Sequence, residues 1–193
     1  MVICMRVLAV IAVLCGAVGI CSQSPYVAES QRELRHPPPL PVITQPVLPG
    51  EGWEPGTYRL NKSIAIFDRW QSPHIVHARL LAHASVTLIS GLNEVEKPDL
   101  IVMTSPIPVL SLSLGDTILR YTQRGEGNAD FWAKGMWYTN GDLGWVKNAD
   151  GSGCETLCKA EEKEAGRSVW WFKVRLADSR IGWTDSLDSP NLY

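Results

Sequence analysis

From Gly56 onward the chain alternates polar and apolar residues in short runs broken by turn-forming residues. Gly56-Thr-Tyr-Arg-Leu-Asn61, Ser63-Ile-Ala-Ile-Phe-Asp68, Val76-His-Ala-Arg-Leu-Leu81 and Ala84-Ser-Val-Thr-Leu-Ile-Ser90 all follow this rhythm. A period of two is the mark of a strand with one buried face. Leu100-Ile-Val-Met-Thr104 is a short apolar run ended by Ser105-Pro-Ile-Pro108, and Thr117-Ile-Leu-Arg-Tyr-Thr122 is entered through Leu114-Gly-Asp116. The last run is the most regular. In Val169–Leu176, Phe172, Val174 and Leu176 share one face, and Val169, Trp171, Lys173 and Arg175 share the other. Ala177-Asp-Ser-Arg180 has the chemistry of a tight turn, after which Ile181-Gly-Trp183 returns as a partner strand. Gly182 there permits a bulge or a close backbone approach. Only Leu157–Glu164 predicts a helix, within Lys159-Ala-Glu-Glu-Lys-Glu-Ala165 and stopped at Gly166. Many short strands at regular spacing predict an all-β protein built from small barrels rather than a layered α/β domain.

The pattern differs before Gly56. Residues 1–23 have a single early cation, Arg6, an unbroken apolar run from Val7 to Gly19, and small residues at Ala17-Val-Gly19. That order predicts a cleaved signal peptide, hence an exported chain, periplasmic or secreted. The apolar run is shorter than the roughly 20 residues needed to span a bilayer, so no membrane span is expected after cleavage. Eight of the thirteen prolines fall between Pro25 and Pro55, so residues 24–55 read as an extended linker without a core.

Composition narrows the function classes. A formal net charge of -2 gives no electrostatic footprint for nucleic acid. Of five cysteines, Cys4 and Cys15 leave with the signal, and Cys154 and Cys158 sit in Gly151-Ser-Gly-Cys-Glu-Thr-Leu-Cys158. In an oxidising compartment this pair predicts a local disulfide, since a redox motif uses Cys-x-x-Cys and zinc needs four ligands.

Trp171-Phe-Lys-Val-Arg175, the turn at Asp178-Ser179 and then Gly182-Trp183 resemble the ending of the bacterial SH3 (SH3b) family. The departure is Ser179, where that family has glycine. Leu114-Gly-Asp-Thr-Ile118 resembles the family's entry into an earlier strand. The resemblance implies an SH3b-like domain over residues 111–188, with an insertion at about 121–167 holding a loop and the short helix. Strand rhythm alone suggests a second SH3-like barrel over residues 56–110. The function the resemblance implies is a non-catalytic module that binds a cell-envelope component, peptidoglycan or an envelope peptide, without a cofactor.

Aromatic residues are the candidate contacts. Six tryptophans from Trp132 to Trp183 crowd the last third of the chain. Such side chains combine apolar area with a polar handle, so clusters of them serve either as core or as a binding platform. The expected ligand-binding set is Trp137, Tyr138, Trp145, Trp171 and Trp183, with Trp137, Tyr138 and Trp145 on a loop of the insertion. No Ser-His-Asp order, Cys-His motif or metal-ligand spacing is present, so neither a catalytic residue nor a metal site is assigned. The rival enzymatic reading is an envelope hydrolase using Glu126 and Asp130, set four residues apart beside Arg124. A second rival is an envelope assembly subunit in which the aromatics meet a protein partner.

Overall fold

A computed structural model describes residues 28–49 and 52–187; the expected signal peptide lies outside them. Fourteen strands run in chain order: β1 (Ser30–Glu33), β2 (Val42–Thr44), β3 (Gly56–Arg59), β4 (Ile64–Phe67), β5 (Val76–Leu80), β6 (Ser85–Lys97), β7 (Asp99–Met103), β8 (Thr117–Gly125), β9 (Asn128–Ala133), β10 (Met136–Asp142), β11 (Val146–Lys147), β12 (Ala160–Glu164), β13 (Arg167–Arg175) and β14 (Ile181–Thr184). The protein is all-β, as its alternation predicts, and a one-turn 3-10 helix at Pro108–Leu110 is the sole helical element among the described residues.

The strands form two sheets. The first has the order β1-β10-β9-β8-β7-β12-β11, and the second β2-β6-β13-β14-β4-β5, with β3 also paired to β6. After β1, which lies in the first sheet, the chain builds the second from β2 to β6, crosses at β6–β7 back into the first, and returns to the second at β12–β13. Arg167–Arg175 therefore pairs along Arg175↔Thr87 to Arg167↔Lys97 on β6, some 80 residues earlier in sequence. The sheets thus do not follow the expected division near residue 110: the C-terminal hairpin completes the sheet that residues 42–97 begin.

Three further expectations are corrected. Residues 160–164 are strand, not helix: Ala160 pairs with Met103, Glu161 with Val102 and Glu162 with Ile101. Ala160 is buried and Glu162 faces Arg120, so tertiary partners override a weak helix preference that one or two isolated turns cannot sustain. The supposed insertion is likewise the body of the first sheet. Nor is the proline-rich stretch merely a spacer. Within it, Ser30–Glu33 pairs with β10 and Val42–Thr44 with β6, while Leu34 and Val42 pack on buried Val95, Tyr121 and Trp137. Both strands lie at a sheet edge, where proline-flanked segments are tolerated.

Each sheet buries one face in its own core. Ile101, Met103, Ile118, Phe131, Tyr138 and Ala160 line the first. Ile64, Ile66, Val86, Leu88, Phe172, Val174 and Leu176 line the second, including the three residues the period-two reading places together. Val95, Tyr121 and Trp137 join the two sheets.

The turns show which conformations sequence must supply. Glu126-Gly127 links β8 to β9 and Lys134-Gly135 links β9 to β10, with positive φ at all four residues, as the primed hairpin turns need. At the C-terminal hairpin Ser179 has φ 69°, its N–H donates to Leu176 O, and Leu176 N–H donates to Arg180 O. A serine there bears the left-handed strain that glycine avoids. Ser179→Gly is therefore expected to stabilise the fold by about 0.5–1 kcal/mol, after the greater chain entropy of glycine is deducted. A urea midpoint that rises with an unchanged slope would show this; an unchanged or lower midpoint would refute it.

Candidate functional site

The outer face of the second sheet gathers aromatic and cationic side chains. Residues directly opposite across antiparallel strands share a face, so the registers Lys173↔Trp183↔Phe67 and Arg175↔Ile181 place these five together. Ala65↔Arg79 adds Arg79 from β5, and Thr57↔Thr87↔Arg175 extends the face toward β3. Phe67 and His74 meet at 4.6 Å between ring centroids, and Trp171 lies 5.8 and 5.3 Å from them. Trp171 itself is buried, and its indole N–H donates to Glu94 Oε2 at 3.1 Å. Beside this cluster the Lys173 ammonium stands 5.8 Å from the centre of the half-buried Trp183 ring. Asp178 pairs with Arg180, whose guanidinium holds the carboxyl below the usual carboxylate range. Asp68 pairs with Arg69. Arg79 and Arg175 are exposed and make no ion pair with any described residue. The face is therefore net positive, with an aromatic floor.

Of the five expected contacts, Trp171 and Trp183 fall on this face. The others lie in the first sheet. All three are buried: Trp137 and Tyr138 belong to β10 and not to a loop, while Trp145 lies in the turn between β10 and β11. Trp137 stacks obliquely on Tyr121 at 5.1 Å, Tyr138 lies parallel to Phe131 at 4.5 Å, and the Trp145 indole N–H donates to Asp142 O at 2.9 Å. Aromatic crowding there is core, because Gly135, Asn140 and Gly141 serve turns and close contacts within a hairpin instead of opening a loop. A Cβ on Gly141 would come 2.6 Å from the Phe131 ring. Cys154 and Cys158 form a disulfide, with Cα atoms 5.6 Å apart, closing the turn between β11 and β12.

The two proposed acids sit in different surroundings. Glu126 occupies the exposed tip of the β8–β9 hairpin at φ 49°. Asp130 is 2% exposed, and both its oxygens are occupied: Oδ1 accepts from Arg124 Nε at 2.7 Å and Asn140 N–H at 2.9 Å, and Oδ2 from Arg124 Nη2 at 2.9 Å. Among the described residues no three His, Cys, Asp or Glu side chains converge as a metal site, and no helix is long and apolar enough to cross a membrane.

A second feature lies where the chain passes between the sheets. Asn93, Lys97, Asp99, Tyr121, Gln123 and Trp170 line a cleft of about 230 Å³, together with residues 166–168. Asp99 is committed, accepting from Arg120 Nε at 2.6 Å and from Gly166 N–H at 2.5 Å. Burial pushes the Tyr121 phenol up to about 12. Asn93 is 1% exposed, and its Oδ1 has no hydrogen-bond partner. Nothing in the sequence singles out this asparagine, since its role depends on which strands lie to either side of it.

Comparison with protein-family models, with curated proteins and with solved structures yields no match.

Proposed function

We propose that this chain is a non-catalytic, exported binding module of the bacterial SH3 (SH3b) type that recognises a cell-envelope component, peptidoglycan or an envelope peptide. The observation that carries the reading is the outer face of the second sheet, where Trp183, Lys173, Arg175 and Arg79 present an aromatic surface ringed by uncompensated cations. Peptidoglycan offers the complement: sugar rings that stack on indole, and stem peptides that carry carboxylates for guanidinium groups. The residues of the resemblance lie in the β13–β14 hairpin, where Lys173 pairs with Trp183 and Val174 with Gly182. The occupied oxygens of buried Asp130 favour binding over hydrolysis.

The test is co-sedimentation of residues 24–193 with insoluble peptidoglycan, beside Trp183→Ala and the pair Arg79→Glu with Arg175→Glu. Wild-type protein is expected in the pellet, with at least a tenfold loss in each variant. A folded wild-type protein that stays in the supernatant defeats the proposal.

One observation favours the second reading, an assembly subunit. Strand β5 ends its sheet among the described residues; Val76 in it and Ile75 and Leu81 at its two ends are 44%, 68% and 74% exposed. An open edge flanked by apolar side chains suits a partner that adds a strand.

A further inference from the structure

We infer that the cleft between the two sheets is a separate binding site for a single neutral saccharide ring. Asn93 lies in β6 between β2 and β13, opposite Thr44 on one side and Trp170 on the other. Register places Asn93 and Trp170 on one face of the sheet, the face toward Tyr121 and Gln123 of the first sheet. A buried carbonyl oxygen without a partner costs free energy in an empty site, and that cost is recovered when a donor arrives. The cleft is thus built to receive an N–H or an O–H.

Charge selects among the donors. Lys97 donates to Glu164 at 3.0 Å, Arg167 pairs with Glu96, and Asp99 is held by Arg120 and Gly166. The ionic groups around the cleft are therefore already compensated, leaving no excess for an anion or a cation. What remains is neutral and polar: Asn93, Gln123, Ser168 and a Tyr121 hydroxyl that stays protonated through the physiological range. These groups both donate and accept. Trp170 adds an apolar ring. Neutral amides and hydroxyls around one indole match the alternating hydroxyls and C–H face of a pyranose. The volume, about 230 Å³, lies below the roughly 300–1,000 Å³ of sites for larger ligands, so it suits one ring.

This site does not rest on the wall-binding reading. Trp170 and Trp171 are successive residues of one strand and face opposite sides of the sheet, so cleft and outer face can be disabled independently. The experiment is calorimetric titration of the purified protein with N-acetylglucosamine, glucose and galactose, repeated on Ser168→Phe, Gln123→Ala, Asn93→Leu and Trp183→Ala. Saturable binding of at least one sugar is expected, weakened tenfold or more by Ser168→Phe, which fills the exposed mouth, and by Gln123→Ala. Trp183→Ala should leave it unchanged. Asn93→Leu should abolish binding while thermal stability holds or rises, because the unpartnered oxygen is gone; if that variant fails to fold, the Ser168 and Gln123 variants decide. No saturable binding of any of the three sugars by folded wild-type protein overturns the inference. So does binding that survives Ser168→Phe, or that Trp183→Ala removes.

Discussion

Arg120→Ala is expected to cost the fold about 3–5 kcal/mol, a large share of the stability of a domain this size. The guanidinium is 7% exposed and bonds to three separate segments: Asp99 Oδ2 at 2.6 Å on β7, Glu162 Oε2 at 2.7 Å on β12, and Asn148 Oδ1 at 2.8 Å just beyond β11. Removing it strands two carboxylates with little access to water, Glu162 being 7% exposed and Asp99 19%. The desolvation penalty of those anions, more than the loss of the bonds themselves, sets the size of the effect. Adding Glu162→Gln to the variant should therefore restore part of the stability, and a double-mutant cycle in urea measures the coupling. An Arg120→Ala loss below about 1 kcal/mol would mean that the network is hydrated and contributes as a surface ion pair does.

Asp130→Ala should cost about 2–3 kcal/mol, while Glu126→Gln stays within about 0.5 kcal/mol. Asp130 receives three hydrogen bonds, two from Arg124 and one from the Asn140 backbone, and so ties the β8–β9 hairpin to the irregular stretch of β10 between Tyr138 and Gly141. Arg124 is 23% exposed, so water recovers part of its charge and keeps the cost below that for Arg120. Glu126 has no comparable role. The pair of variants also separates the rival readings: an envelope hydrolase would lose wall-degrading activity in Glu126→Gln with its stability intact. Equal destabilisation by both substitutions would contradict the structural account of each.

Strands whose inward residues alternate cleanly are legible in the sequence. Ile64 and Ile66, Val86 and Leu88, and Phe172 and Val174 all enter the second core as period two requires. Other strands are hidden by residues whose reason is tertiary. Gly91 looks like the end of a strand but sits inside β6, because a Cβ there would come 2.6 Å from Val47 O. Lys159–Ala165 has the composition of a helix, yet Glu162 is needed beside Arg120, 42 residues away. Of the candidate contacts, Trp171 and Trp183 share one face of the second sheet because Trp171 alternates with Lys173, which lies opposite Trp183 in a regular hairpin. Trp137, Tyr138 and Trp145 do not join them, since glycines beside an aromatic mark a tight hairpin as readily as an open loop. Asn93 is illegible from sequence because an unpartnered oxygen is defined only by its neighbours.

The late return of the chain to the second sheet also has a kinetic consequence. Until Arg167–Thr184 is made, β4 and the long β6 lack the two strands that lie between them. A nascent chain ending before that point holds all seven strands of the first sheet but exposes the apolar inner face of the second, including Ile66 and Leu88. Pairing across such long loops is slow, and unpaired edges carrying apolar residues are prone to aggregate while they wait. The stretch from Arg167 onward therefore governs when folding can finish, and it makes premature C-terminal truncation a loss of the second core rather than of a single hairpin.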